Sequence, residues 1–319
     1  MNPLSALYGA GIGLRNVLYD RGSLAVRRLQ APVVSVGSIS AGGAGKTPFL
    51  ILLGELLKQR GLAFNVLSRG YGRKSKGVRL VDPAGSAQEF GDEPLLIARR
   101  LGVPVIVGAD RYSAGEFAET KFGLQGHLLD DGFQHRRLAR DFDIVLITQR
   151  DLHDSLLPAG RLREPLTSLA RASALVFMEG APVEGIPVRE GQSVWRVSRG
   201  ILAPATKEAC FAFCGIARPE NFFTDLGTAG VKVVGTRAFR DHHTYTAQDV
   251  EALYRQGQRS GATAFVTTEK DAANLGGHAE QLRPLHVVTV RIEFQVGEET
   301  ALEELGAALQ SRAEARVRE

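Results

Sequence analysis

The stretch at residues 33–50, Val-Val-Ser-Val-Gly-Ser-Ile-Ser-Ala-Gly-Gly-Ala-Gly-Lys-Thr-Pro-Phe-Leu, constrains the fold more than any other part of the chain. A β-branched run leads into closely spaced glycines and then into an apolar segment of helical period, so the expected order is strand, tight loop, helix. Ser40-x-x-x-x-Gly45-Lys46-Thr47 is the phosphate-loop pattern with Ser40 in place of the first glycine. Ser40, Ala41, Gly42, Gly43, Ala44 and Gly45 form the candidate cradle, because the glycines let several backbone N–H groups turn toward one anion. The helix N-terminus behind them adds partial positive charge. Lys46 is then expected to reach the β- and γ-phosphates, and the Thr47 hydroxyl to bind Mg²⁺. Stripped of function, the same residues read as a glycine-rich turn with a solvated lysine.

A chain of 319 residues exceeds the size at which single cores stop growing, so more than one domain is expected. With 44% hydrophobic and 23% charged residues, composition is that of a soluble globular protein. The net charge of +4 is unevenly placed: Arg69, Arg73, Lys74, Lys76 and Arg79 form one basic run, and Arg136, Arg137 and Arg140 another. Such clusters suit anionic partners or are simply solvated surface. No aromatic-interleaved basic stripe points to nucleic acid. The two cysteines, Cys210 and Cys214, lie in one apolar run, which argues for buried thiols in a reducing compartment and against a zinc site.

Residues 1–14 carry no charge, and arginines follow closely. The segment is too short to span a bilayer. Leu4, Leu7, Tyr8, Gly11, Leu14 and Leu18 fall near one helical face, which suits either a helix lying at a membrane surface or one packed on its own domain.

From residue 33 to 147, short apolar strands alternate with helical stretches, which implies a parallel sheet covered on both faces with functional residues at the strands' carboxyl ends. The expected class is α/β, a two-domain α/β/α arrangement with a phosphate-loop NTPase-like parallel sheet and a smaller second α/β domain. The divisions are residues 1–28 for the amphipathic helix, 29–186 for the phosphate-loop domain, 187–207 for linker strands with a turn at Gly200, and 208–319 for the second domain. The last helix starts near residue 298, and its charged end reads as solvated.

The strand-end rule selects Asp130 and Asp131 as acids able to hold Mg²⁺ or its water, or merely to cap a turn. Asp92, before a helical segment, is either an N-cap or a catalytic carboxylate. The loop at residues 157–165 carries Arg161, Arg163 and Glu164 and suits clamping a phosphate. Asp241-His242-His243 places imidazoles beside a carboxylate, and Thr268-Glu269-Lys270-Asp271 follows a strand; helix capping is the alternative for both.

Together, residues 35–48, Ser-Arg-Gly-Tyr-Gly-Arg from Ser68, Gly-Asp-Glu-Pro from Gly91 and Asp-Asp-Gly-Phe-Gln-His from Asp130 resemble the lipid A 4′-kinases (tetraacyldisaccharide 4′-kinases). Arg-Glu-Pro at Arg163, Asp-His-His-x-Tyr at Asp241 and Thr-Glu-Lys-Asp at Thr268 extend the likeness over most of the chain, in order. The resemblance implies ATP- and Mg²⁺-dependent phosphorylation of the 4′-hydroxyl of a tetraacylated glucosamine disaccharide-1-phosphate, at the cytoplasmic face of an inner membrane. It also implies a cleft that the second domain closes over, peripheral membrane docking through the first helix, and no obligate protein partner. By the same resemblance, Lys46 and Thr47 take phosphate and Mg²⁺, and Asp92 is the base. His242 is the imidazole that supports it, with His243 as the alternative; Asp130 and Asp131 are strand-end acids, and Arg163 and Glu164 are a phosphate and metal pair. The competing readings are another glycine-rich-loop ATPase, which leaves Asp241-His242-His243 unexplained, and a membrane-associated nucleotide switch that does not phosphorylate lipid.

Overall fold

The computed structural model describes the backbone of residues 2–317 and the side chains of residues 2–309. Helix α1 (Pro3–Asp20) begins where Asn2 accepts a hydrogen bond from Leu4 N at 3.0 Å and a proline occupies the first turn, where its missing N–H costs nothing. The next elements alternate as the apolar pattern requires: β1 (Val33–Ser38), α2 (Lys46–Gln59), β2 (Phe64–Ser68), the short edge strand β3 (Arg79–Leu80), α3 (Ala87–Phe90), α4 (Asp92–Leu101), β4 (Val105–Val107), α5 (Arg111–Lys121), β5 (Gly126–Asp130), β6 (Phe142–Ile147) and β7 (Ala174–Met178). Val33, Val34 and Val36 are buried on both faces of β1, as expected where helices cover a parallel sheet on either side. On α2, Phe49, Leu50, Leu53 and Leu57 are buried, each such side chain contributing about 1.5–3 kcal/mol relative to exposure.

The chain continues through β8 (Ser193–Leu202), β9 (Cys210–Cys214), α6 (Pro219–Thr228), β10 (Val233–Ala238), α7 (Ala247–Arg259), β11 (Ala264–Thr268), α8 (Glu269–Leu275), β12 (Leu285–Val296) and α9 (Glu298–Val317). All strands join one sheet, in the order β10-β9-β11-β12-β8-β7-β6-β1-β5-β2-β4-β3. Its two halves are each parallel inside apart from edge strand β3, and meet at the antiparallel pair β8 and β12. The strand β8 expected as a linker therefore pairs with β7 on one side and β12 on the other. No turn forms at Gly200, which pairs with Arg291 inside the β8–β12 ladder, because the strand is long enough to carry the seam.

Helix α9 differs most from the expected division of the chain. Ala301, Leu305 and Leu309 fall on one helical face and pack into the core that also holds Val34, Leu53, Trp195 and Ile292. The end of the chain thus completes the phosphate-loop half. Its charged terminus lies outside the described side chains. The second half has its own core around Cys210, Ala212, Cys214, Phe222, Leu226 and Val266. Both cysteines are free and buried, and burial pushes their thiol pKa values up. Among the described residues no helix is long and apolar enough to cross a membrane.

Candidate active site

The carboxyl ends of β1, β2 and β5 open on a cavity of about 1180 Å³ between the two halves, lined by Gly42 through Thr47, Ser68, Asp130, Asp131, Arg163, Arg218, His242 and Lys270 among others. Gly42, Gly43 and Gly45 have φ of 69°, 70° and 83°, left-handed values that a Cβ would strain, and so the loop closes tightly before α2. Ser40 and Ala41 do not line this cavity. Ser40 is buried beneath the loop and bridges to Leu162, and Ala41 N donates to Arg161 O at 2.8 Å, so that amide is occupied. The cradle expected from residues 40–47 is therefore confined to Gly42–Thr47.

Lys46 Nζ donates to Ser38 Oγ at 3.2 Å and stands 3.4 Å from Asp131 Oδ1. Arg163 NH1 pairs with Asp131 Oδ2 at 2.8 Å, and its backbone N donates to Ile39 O at 2.7 Å, which ties the 157–165 loop to the strand preceding the phosphate loop. Burial raises the Asp131 pKa, but Lys46 and Arg163 outweigh it and hold the carboxylate ionised. Asp131 has φ of 48°, uncommon for a residue with a side chain.

Asp130 is different. Ser68 Oγ donates to its Oδ2 at 2.9 Å, while Oδ1 is buried without a hydrogen-bond partner. Burial, then Glu93 and Asp131, push its pKa up to about 7. A buried carboxylate among other acids, lining the same cavity as Thr47 at the start of α2, is a donor set that fits a hard divalent cation. No cluster of three or more His, Cys, Asp or Glu side chains able to hold a metal occurs among the described residues.

The expectation that Glu164 binds metal meets a physical obstacle. Glu164 is fully buried outside the cavity, accepting from Asn16 Nδ2 (2.8 Å), Gln134 Nε2 (3.1 Å) and Arg171 (3.0 Å). Burial opposes its charge, but Arg171 and these donors keep it ionised, so both oxygens are committed to holding α1 and the 157–165 loop together.

Across the cavity, Asp92 opens α4, but its N-cap is Gly91, and the helix receives no side-chain cap. Asp92 Oδ2 instead meets His242 Nδ1 at 2.8 Å. With the ring neutral, His242 Nε2 accepts from Lys270 Nζ at 3.4 Å, so the proton sits on Nδ1 and is donated to Asp92. His243 turns away, stacks on Phe239 and meets Asp249 at 3.1 Å, leaving His242 as the imidazole that reaches Asp92. His242 has φ of 59°, so the two non-glycine residues with positive φ among the described residues both lie at this site. Burial raises the Asp92 pKa, but the His242 hydrogen bond and Lys270 bring it down to about 2. The Asp92 hydrogen bond raises the His242 pKa against burial and Lys270. His242 lines the cavity, whereas Asp92 sits just behind it, 5% exposed.

Two neighbours had no role assigned from the sequence, Lys270 within the motif at Thr268 and Asn274 outside it. Lys270 Nζ pairs with Asp241 at 3.0 Å and Asp92 at 3.5 Å, and Asn274 Nδ2 reaches Asp92 at 3.5 Å. Their i, i+4 spacing on α8 put them on one face, a legible signal, but nothing local aimed that face at Asp92. In the same motif, Thr268 caps α8 and Asp271 is buried against Tyr245 and Gly215, so capping accounts for those residues. Helices α4 and α8 are further joined by Arg100 and Glu269 at 3.1 Å.

Residues 1–310 match the family model described as tetraacyldisaccharide-1-P 4′-kinase. The protein named tetraacyldisaccharide 4′-kinase in Koribacter versatilis (strain Ellin345) is 50% identical over 98% of this chain and 99% of its own length. The one so named in Aquifex aeolicus (strain VF5) is 40% identical over 86% of this chain and 89% of its own. A crystal structure of LpxK from Aquifex aeolicus in complex with ATP superposes with a TM-score of 0.79 at 34% identity, covering 96% of this chain and 98% of that one. With residues 1–310 matched, across both halves of the sheet, the chain belongs to the tetraacyldisaccharide-1-P 4′-kinase family.

Proposed function

We propose that this chain transfers the γ-phosphoryl group of ATP to the 4′-hydroxyl of a tetraacylated glucosamine disaccharide-1-phosphate, with Asp92 as the base. The observation that carries the assignment is the Asp92–His242 contact at 2.8 Å, made between the two halves beside the cavity that the phosphate loop lines. The Gly42–Thr47 amides and Lys46 hold the β- and γ-phosphates, and Asp131 fixes Lys46 and Arg163 in position. Thr47 and Asp130 would hold Mg²⁺, which when bound neutralises charge on the phosphate oxygens. Asp92 takes the hydroxyl proton as the 4′-oxygen attacks, and His242 orients the carboxylate and stabilises the protonated pair. Phosphoryl transfer depends mainly on positioning and charge neutralisation, and a cleft closed by two halves of one sheet provides both. The acceptor is an acylated lipid, so the enzyme works peripherally at the cytoplasmic face of the inner membrane, with the exposed leucines of α1 against the lipid surface.

The test is transfer of labelled γ-phosphate from Mg-ATP to the disaccharide lipid in mixed micelles. Wild-type protein is expected to form the 4′-phosphate, and Asp92→Ala to lower kcat by about 10²-fold or more with ATP binding retained. ATP binding or hydrolysis without any lipid product would favour the switch or the unrelated ATPase.

A further inference from the structure

The turn between β9 and α6 carries Arg218 over the phosphate loop from the other half of the molecule. A Cβ on Gly43 would stand 2.8 Å from Arg218 Nε, so the guanidinium rests directly on the loop backbone. Its Nε is buried without a hydrogen-bond partner, and its contact from NH2 to Thr148 Oγ1 is stretched to 3.5 Å. The nearby carboxylates are engaged elsewhere. Asp151 accepts from Thr148 N at 2.7 Å and Thr148 Oγ1 at 2.9 Å, and Glu220 pairs with Arg150 at 3.3 Å. Arg150 lines the same cavity, and Arg161 NH2 would lie 2.9 Å from a Cβ on Gly42, where Asp241, paired with Lys270 at 3.0 Å, places Oδ2 at 3.9 Å. Burial, then Arg150, lower the Arg218 pKa, so these surroundings disfavour its charge. Arg218 and Arg161, neither with an ion-pair partner among the described residues, gather beside the N-terminus of α2, an arrangement that becomes favourable only against a polyanion.

We propose that Arg218 is a catalytic residue of the phosphoryl transfer, an arginine supplied within the chain that contacts the γ-phosphate oxygens and stabilises the charge that develops on them. The inference rests on the kinase reading above. In the transfer step the bond from the 4′-oxygen to the γ-phosphorus forms as the bond to the β,γ-bridging oxygen breaks. The hydroxyl proton passes to Asp92, and ADP leaves with the bridging oxygen's electron pair. Arg163 is partly committed to Asp131 and Gln134, at 2.8 and 3.3 Å, whereas Arg218 brings N–H donors with no carboxylate acceptor among the described residues. Because Arg218 rides on the second half and Lys46 on the first, the transfer site is complete only when both halves face the same phosphates.

Arg218→Ala and Arg218→Lys are compared with wild type in the lipid transfer assay, in binding of ADP and of ADP with aluminium fluoride, and in thermal melting. Arg218→Ala is expected to lower kcat by about 10²-fold, the cost of removing one donor to developing charge. It should weaken the aluminium fluoride complex far more than ADP alone, and added guanidinium ion should restore part of the rate. If Arg218→Ala proves unfolded, the same shifts are read from Arg218→Lys, which keeps the charge and loses the fork. A rate within about twofold of wild type, or equal weakening of both nucleotide complexes, overturns the proposal. The binding measurements need no lipid. Wild-type protein that binds aluminium fluoride with ADP through Arg218, yet forms no lipid product, defeats the kinase reading and leaves the arginine assignment standing.

Discussion

At the residue scale, the decisive pair is Asp92 with His242, and its protonation sets a pH signature. The folded pKa of Asp92 is depressed to about 2, so its contribution to stability is present above the unfolded carboxylate value of about 4 and is lost as pH falls toward 2. The folded pKa of His242 is raised, first by the hydrogen bond to Asp92, so its charge-dependent contribution is fully present below about 6.5 and is lost as pH rises through the raised value. The stability difference between wild type and His242→Ala should be largest between about pH 4 and 6.5 and should shrink at alkaline pH, as measured by denaturant melts across a pH series. A difference that stays flat with pH would mean that the imidazole acts only by packing. Asp92 and His242 were each legible in sequence as candidates, but their pairing spans 150 residues and depends on which imidazole the left-handed backbone at His242 turns inward.

At the scale of elements, α1 has its polarity inside out. Its inner face is tied by hydrogen bonds: Ser5 Oγ to Leu156 O at 2.9 Å, Tyr8 OH to Arg163 O at 3.0 Å, Arg15 NH2 to Gln134 O at 2.7 Å and Asn16 Nδ2 to Glu164 Oε2 at 2.8 Å. Its outer face exposes Leu4, Leu7 and Leu14 at 62%, 72% and 62%. The apolar face expected from spacing included Tyr8 and Leu18, which the structure turns partly inward, and it omitted Val17, which is exposed. An exposed row of leucines beside a helix anchored by polar contacts suits a lipid surface. Leu7→Glu should reduce liposome association without changing thermal stability. Asn16→Ala should instead cost about 1–3 kcal/mol in denaturant melts, because it leaves a buried Glu164 oxygen short of a donor. It should also lower kcat, since Glu164 adjoins Arg163 in the loop that this contact holds. Helical spacing could reveal that α1 is amphipathic, but which face meets the protein depends on where buried Glu164 and half-buried Leu156 are placed.

At the scale of the whole molecule, one continuous sheet carries both halves, and the chain's last helix returns to the first half. Leu305 is fully buried in the core that supports β1 and α2. Leu305→Ala should therefore destabilise the phosphate-loop half by about 2–5 kcal/mol, with nucleotide binding lost in step with global unfolding in urea. Binding that survives unfolding of the second half, with Leu305→Ala affecting only that half, would show α9 to belong there instead. The phosphate loop, the strand and helix alternation, the buried cysteines and the family motifs were determined by sequence alone, because each is written in residues close along the chain. Backbone φ limits, side-chain periodicity and helix dipoles act over that range. Tertiary structure alone decided that His242 and not His243 reaches Asp92, that Lys270 and Arg218 enter the cleft, that Glu164 is sealed against α1, and that α9 packs on the opposite half. These outcomes depend on how distant elements are stacked, and stacking is set by the fit of whole faces and by which buried charges find partners, neither of which any short stretch encodes.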